Sequence, residues 1–127
     1  MILGIEHIAV CAKDTKALTD WYVKMFGVSV VYDNGKGTYF VKAPDGSMIE
    51  IIQADTEVAP TPTKDWGIRH FALSVSDEGF DELVAKLREE NVEVVTEVSI
   101  SPKGIKTFFF RDPEGNIFHL IYRPEAL

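Results

Sequence analysis

The chain reads Thr38-Tyr39-Phe40-Val41-Lys42-Ala43-Pro44-Asp45-Gly46-Ser47-Met48-Ile49-Glu50-Ile51-Ile52, and in its second half it reads Thr107-Phe108-Phe109-Phe110-Arg111-Asp112-Pro113-Glu114-Gly115-Asn116-Ile117-Phe118-His119-Leu120-Ile121. Each of these stretches follows a shorter one. In the first half the shorter stretch is Gly4-Ile5-Glu6-His7-Ile8-Ala9-Val10, and in the second half it is Gly67-Ile68-Arg69-His70-Phe71-Ala72-Leu73. An internal repeat of this kind determines the architecture before any local pattern is considered. The sequence therefore predicts two equivalent modules.

Each module has the same predicted order of elements, β-α-β-β-β. In the first module, Asp14 or Thr15 is the predicted N-cap of an amphipathic helix and Gly27 ends it. Its apolar stripe consists of Leu18, Trp21, Tyr22, Met25 and Phe26. Ser76 is an N-cap for the helix of the second module, where it precedes two acidic residues. Strands are predicted over 4–11, 28–33, 37–42 and 48–53, and again over 68–75, 92–98, 105–111 and 116–122.

The predicted fold class is α+β, with two tandem βαβββ modules that together form one domain of residues 1–127. Module one spans 1–54 and module two spans 67–127. A polar, proline-containing connector over 55–66 joins them. Each module is close to the lower size limit for independent stability, so we expect the two to fold as one body.

Composition excludes several classes of partner. The net charge is −7, whereas nucleic acids and anionic membranes are bound through basic surfaces. No apolar run approaches the roughly 20 residues that a membrane span needs, and the N-terminus lacks a signal-peptide pattern. One cysteine, Cys11, cannot form an internal disulfide. We expect a cytoplasmic protein that acts on a small molecule.

Four ionisable side chains occupy two pairs of equivalent positions on otherwise apolar strand faces. They lie on the first and last strand of each module, and they are His7, Glu50, His70 and His119. Each would cost several kcal/mol if buried without a partner. Separate hydrogen bonding of each group is the simplest alternative, but the repeat favours one shared function.

Three imidazoles and one carboxylate can satisfy one another around a divalent cation. This ligand set suits zinc, nickel, cobalt, manganese or iron, whereas calcium and magnesium prefer oxygen ligands. The sequence therefore predicts that His7, Glu50, His70 and His119 bind one divalent transition metal.

The four quoted motifs resemble those of the vicinal oxygen chelate superfamily, which includes glyoxalases, bleomycin resistance proteins and extradiol dioxygenases. The resemblance covers essentially the whole chain. It implies eight strands that curl around a central metal cleft, with ligands on the first and last strand of each module. It also implies a homodimer, with the site inside one chain or shared across the interface.

One position departs from the pattern of this superfamily. Its members usually carry glutamate where this chain has His119, and in glyoxalase-like members that glutamate binds metal and moves the substrate proton. Glu50 is the only carboxylate of the four, so Glu50 and His119 are the candidate catalytic residues. A neutral histidine can serve as a ligand or as a base.

The resemblance implies three functions. The first is a metal-dependent glyoxalase-like lyase or isomerase/epimerase, which acts on a vicinal-oxygen (hydroxy-carbonyl) substrate by metal-assisted proton transfer. The second is an extradiol-type dioxygenase, which four protein ligands disfavour because it needs open coordination positions. The third is a non-catalytic drug-binding protein, which the presence of a ligand candidate at all four positions disfavours.

The single cysteine has a structural interpretation rather than a catalytic one. Cys11 is expected to be a buried or half-buried, inert thiol.

Basic charge gathers late in this acidic chain, at Lys103, Lys106, Arg111 and Arg123. They are either solvated surface groups or an anchor for the anionic part of a substrate.

Overall fold

Ten elements follow the predicted order in a computed structural model that describes residues 1, 3–56 and 67–127. The chain divides into two compact units, Met1–Val58 and Ala59–Leu127, and each contains one βαβββ module. Most of the predicted connector 55–66 lies outside the described residues. The elements are β1 His7–Ala12, α1 Thr15–Phe26, β2 Ser29–Asp33, β3 Tyr39–Lys42, β4 Met48–Gln53, β5 Phe71–Ser74, α2 Asp77–Glu89, β6 Val94–Ile100, β7 Lys106–Arg111 and β8 Ile117–Tyr122.

The eight strands form two four-stranded sheets of identical topology. Their orders are β1-β4-β3-β2 and β5-β8-β7-β6. In each sheet the first and last strands of the module pair in parallel, and the remaining pairs are antiparallel. The α+β prediction of two tandem βαβββ modules is confirmed. This topology places the first and last strands of each module, at which the predicted ligands lie, side by side.

Helix α1 begins and ends as the sequence predicts. The side chain of Asp14 accepts a hydrogen bond from the backbone N–H of Ala17 at 3.0 Å, which satisfies a donor at the first turn. Gly27 ends the helix in the left-handed region at φ 67°, where a residue without Cβ is favoured. Leu18 and Tyr22 are fully buried, and the helix packs against β3 and β4. This packing covers one face of the first sheet.

Helix α2 covers one face of the second sheet in the same way. Ser76 caps it by accepting a hydrogen bond from the N–H of Gly79 at 3.0 Å. Asn91 has a positive φ of 55° just beyond the end of this helix. The core of this unit contains large side chains from the helix and from β7 and β8, namely Phe80, Leu87, Phe108, Phe110, Phe118 and Leu120.

The same turn precedes the last strand of each module. Its first residue is Ala43 in one unit and Asp112 in the other. In each unit this residue donates to the carbonyl four positions later and accepts from the N–H three positions later. Gly46 and Gly115 have φ values of 91° and 87°, a conformation in which a Cβ would be strained. The turn therefore fixes where β4 and β8 begin.

The first strand of each module is shorter than predicted. The prediction was 4–11 and 68–75, whereas β1 starts at His7 and β5 at Phe71. In each case the partner strand sets the limit, because β4 starts opposite His7 and β8 starts close to the start of β5. Among the described residues, those before His7 and those before His70 have no residue of the partner strand opposite them.

Within the described residues, no helix is both long and apolar enough to cross a membrane.

Candidate metal centre

His7 and Glu50 meet across the parallel pair of β1 and β4. Glu50 lies opposite Ala9 in the register, and His7 lies two residues before Ala9 on the same face. The Nε2 atom of His7 is 3.3 Å from Oε2 of Glu50. Their side chains are 36% and 24% exposed, so solvent or a ligand can reach this pair.

Glu6 holds the other nitrogen of the same imidazole. Its carboxylate is hydrogen-bonded to Nδ1 of His7. This hydrogen bond is the largest cause that raises the pKa of His7, and the charges of Glu6 and Glu50 add to it. His7 therefore has a fixed ring orientation, with Nε2 directed towards Glu50.

His70 and His119 meet at the equivalent place in the second unit. His70 immediately precedes β5, and His119 lies on β8 opposite Ala72. Their ring centroids are 4.7 Å apart, with the planes at 72°. His119 is only 7% exposed, and its Nδ1 atom is buried without a hydrogen-bond partner among the described residues. An unpartnered polar atom at such a depth is costly unless something binds it.

Burial keeps both of these imidazoles neutral near pH 7. It lowers the pKa of His119 to about 4, and the charges of His70 and Arg123 act in the same direction. It also lowers the pKa of His70, with a smaller contribution from Arg69. A neutral imidazole has a free lone pair, which is the form that binds a metal.

Each pair is accompanied by a phenylalanine on the neighbouring strand. Phe40 on β3 lies opposite Glu50, and its ring is 5.2 Å from that of His7 in an edge-to-face contact. Phe109 on β7 lies opposite His119. Its ring stacks on His119 at 4.2 Å with the planes at 20°, and it meets His70 edge to face at 5.4 Å.

The structure thus brings the four predicted residues together as two pairs, one in each unit. Within either unit, the described residues contain no group of three or more His, Cys, Asp or Glu side chains placed to hold a metal. The sequence analysis did not predict the roles of Glu6, Phe40 and Phe109. A signal for the two phenylalanines was present, because they occupy equivalent positions of the same repeat that aligns Glu50 with His119.

Residues 4–120 match the model of the Glyoxalase/Bleomycin resistance protein/Dioxygenase superfamily. The chain belongs to this superfamily. The predicted family resemblance is therefore confirmed over almost the whole sequence.

Relatives in this superfamily are similar along most of their length. The chain is 21% identical to the metallothiol transferase FosB of Staphylococcus saprophyticus over 120 residues, which are 94% of this chain and 77% of the relative. It is 23% identical to the fosfomycin resistance protein FosX of Listeria monocytogenes over 125 residues, which cover 94% of this chain and 90% of the relative. A crystal structure of that FosX complexed with Mn(II) and a sulfate ion has a TM-score of 0.78, with 22% identity over 97% of this chain and 92% of that chain. These comparisons agree with the prediction of an enzyme.

Cys11 does not have the environment that the sequence predicted for it. It is exposed rather than buried or half-buried. The reason is the alternation of β1, whose helix-facing residues Val10 and Ala12 are buried, while Cys11 shares the opposite face with His7 and Ala9.

The four basic residues singled out in the sequence separate into two groups. Lys106 pairs with Asp77 at 2.7 Å, and Arg111 is 3.5 Å from Glu93, so both are engaged in ion pairs within the second unit. Lys103 and Arg123 line a cavity of about 490 Å³ whose wall also includes residues 124–127. This wall includes a glutamate, so the cavity has both signs of charge. Of the four, only Arg123 influences the pKa of His119.

Proposed function

We propose that this chain is a metal-dependent, glyoxalase-like lyase or isomerase/epimerase that acts on a small hydroxy-carbonyl substrate by proton transfer. The observation that carries the proposal is the pairing of ligand-type side chains at equivalent places in both units. His7 and Glu50 are 3.3 Å apart, and the rings of His70 and His119 are 4.7 Å apart. Superfamily membership and the relatives named above support it.

The residues present fit a divalent transition metal. Neutral imidazoles and a carboxylate are its preferred ligands, and the buried, unpartnered Nδ1 atom of His119 provides a donor that nothing else in the described residues uses. Since each unit contributes two of the four predicted ligands, the proposal requires His7, Glu50, His70 and His119 to act together. We propose a single functional domain of residues 1–127 that works as a homodimer in the cytoplasm, with the ligand pairs drawn from one chain or from two.

When bound, the cation would supply Lewis-acid chemistry that makes a C–H bond next to the substrate oxygens more acidic. The residues of this chain would then move the proton. Glu50 is the better candidate because its carboxylate is accessible, whereas His119 is almost completely buried. We assign Glu50 as the proton-transfer residue and metal ligand, and His119 as a metal ligand.

Metal analysis tests the proposal directly. The purified protein is expected to retain about one zinc, nickel, cobalt, manganese or iron ion per chain and to lose it to a chelator. The variants His7→Ala, Glu50→Ala, His70→Ala and His119→Ala should each bind the metal more weakly. Cys11→Ser is the matched control, because Cys11 lies on the same face of β1 as His7 but is not one of the proposed ligands. Metal content that is unchanged in all four ligand variants would refute the proposal.

The metal that is retained also separates the two catalytic alternatives. Zinc, nickel, cobalt or manganese favours proton transfer. Iron together with oxygen uptake on a catechol panel favours the extradiol-type dioxygenase instead.

A further inference from the structure

The two modules fix their ligand histidines by different means. In the first unit, Nδ1 of His7 is held by the carboxylate of Glu6. The residue equivalent to Glu6 in the repeat is Arg69, which cannot accept a hydrogen bond. In the second unit, no hydrogen bond among the described residues orients the ring of His119, and its Nδ1 atom, the proposed donor to the metal, is buried without a partner. A metal-binding histidine normally has its second nitrogen hydrogen-bonded, which sets the orientation of its ring.

Phe109 provides the contact that takes the place of this hydrogen bond. Its ring lies almost parallel to that of His119, with 4.2 Å between centroids and 20° between planes. The edge of His70 closes a second side at 4.7 Å. Rotation of the His119 ring about its Cβ–Cγ bond would break the stacked contact. The flat face of Phe109 therefore limits His119 to one plane.

The position of Phe109 on its strand shows that the core of the unit does not require it. Phe108 and Phe110 point to the helix side and are fully buried, whereas Phe109 points to the opposite face and is only partly buried. The ring contacts made on that face are with His70 and His119. A phenylalanine with this environment serves the imidazoles rather than the packing of α2.

Phe40, the equivalent of Phe109 in the first unit, does not stack on an imidazole. Phe40 lies opposite Glu50, which has no ring against which to stack, and it touches His7 edge to face at 5.2 Å. His7 is already oriented by Glu6. Phe40 is thus the natural internal control for Phe109.

We propose that Phe109 is a positioning residue that holds the His119 imidazole in the orientation required for metal binding, whereas Phe40 has no comparable role. This inference rests on the proposed function, because it assigns His119 as a metal ligand. Phe109 would then act on metal binding through the histidine that it contacts.

The test compares Phe109→Leu, Phe40→Leu and Phe109→Tyr as full-length proteins. Titration of each metal-free protein with Co²⁺ should show a loss of affinity of about tenfold to a hundredfold in Phe109→Leu, the range seen when a contact that orients a ligand is removed. Phe40→Leu should show a much smaller loss. Phe109→Tyr keeps the stacked ring and should restore the affinity of the unchanged protein.

Proton NMR of the metal-free proteins provides a second measurement. The ring protons of His119 should show cross-relaxation with those of Phe109, and ring-current shifts that Phe109→Leu removes and Phe109→Tyr retains. If the unchanged protein does not bind Co²⁺, the proposed function fails, while these ring signals still show whether Phe109 orients His119. Equal Co²⁺ affinity in Phe109→Leu and Phe40→Leu, or ring shifts of His119 that Phe109→Leu leaves unchanged, would overturn the inference.

Discussion

Nε2 of His7 is 3.3 Å from a carboxylate oxygen of Glu50, while Nδ1 of the same ring is held by Glu6. One imidazole therefore lies between two carboxylates, and both favour its protonated form. The buried histidine of the other unit, His119, has no carboxylate among the groups that shift its pKa. The two units thus present imidazoles whose pKa values are shifted in opposite directions.

The first prediction concerns the pKa of His7. The hydrogen bond with Glu6 is the largest cause of its increase, so Glu6→Gln should lower this pKa more than Glu50→Gln does. Titration of the His7 ring protons by NMR measures both. A larger decrease in Glu50→Gln would show that Glu50, and not Glu6, is the main cause of the raised pKa.

The same pair of carboxylates affects stability in a defined pH range. Since the folded-state pKa of His7 is raised, its contribution is fully present below the unfolded-state value of about 6.5 and is lost as pH rises through the folded-state value. Glu6→Gln should therefore be less stable than the unchanged protein at about pH 5 and equally stable at about pH 9. Urea unfolding at the two pH values checks this.

The second prediction concerns acid sensitivity from His119. Its folded-state pKa of about 4 lies below the unfolded-state value of about 6.5. The unfolded chain therefore binds the extra proton first, and stability is lost as pH falls from about 6.5 towards about 4. When the pH is lowered from about 7.5 to about 5, protonation of His119 in the unfolded chain should reduce the free energy of unfolding by on the order of 2 kcal/mol.

Two variants separate this effect from general acid unfolding. His119→Gln should lose less stability than the unchanged protein over the same pH range. His7→Gln removes a group with the opposite shift and should lose more. Unfolding free energies of His119→Gln that fall as steeply as those of the unchanged protein would contradict the prediction.

The third prediction compares the two turns that precede the last strands. Asp112 is only 4% exposed and accepts hydrogen bonds from the backbone of Glu114 and Asn116, each at 2.9 Å, and from the Asn116 side chain at 2.8 Å. Asp112→Ala removes the shared acceptor of these three partly buried hydrogen bonds and should cost about 2–3 kcal/mol of unfolding free energy.

Asp45 in the turn of the first unit is the control for this change. It is exposed, and its side chain accepts hydrogen bonds from the backbone N–H and the hydroxyl of Ser47. Water can replace it, so Asp45→Ala should cost about 1 kcal/mol or less. Urea unfolding of both variants measures the two losses of unfolding free energy. Equal losses would show that the burial of Asp112 does not make its hydrogen bonds more important than those of Asp45.

The fourth prediction concerns catalysis. With metal-loaded protein in D₂O, α-hydroxy aldehydes, α-hydroxy acids or hemithioacetals should acquire deuterium at the carbon next to the paired oxygens. Glu50→Gln keeps an oxygen donor but cannot accept the proton, so exchange should fall by about 10²–10⁴-fold at saturating metal. Cys11→Ser should exchange at the original rate. Undiminished exchange in Glu50→Gln would assign the proton transfer to another residue.

Much of the fold could be predicted because the repeat and the local patterns agree. All ten elements, the cap at Asp14 and the end of α1 at Gly27 follow from apolar spacing and turn residues. The starts of β1 and β5 could not be predicted, because partner strands set them. Those partners, β4 and β8, come only after a helix and two further strands of the same module.

The identity of the candidate site residues could be predicted, but the contacts that surround them could not. The repeat identified His7, Glu50, His70 and His119 without any structure. It did not reveal that His7 is bound by its neighbour Glu6, or that Cys11 is exposed, since both depend on the direction of side chains at an edge strand. The stacking of Phe109 on His119 depends on the ring orientations of two side chains that lie opposite each other on β7 and β8, and no local pattern determines these orientations.

The parallel pairing of β1 with β4 and of β5 with β8 also determines when each ligand pair forms during folding. His7 is synthesised well before Glu50, and His70 well before His119, with a helix and two strands between the members of each pair. Each first strand lies at a sheet edge and contacts its sheet through the last strand of its own module. Such long-range contacts come late because chain closure must precede them. We therefore expect the two histidines that open the modules to meet Glu50 and His119 only as the final strand docks, so that a nascent or partly folded chain keeps the members of each candidate pair apart.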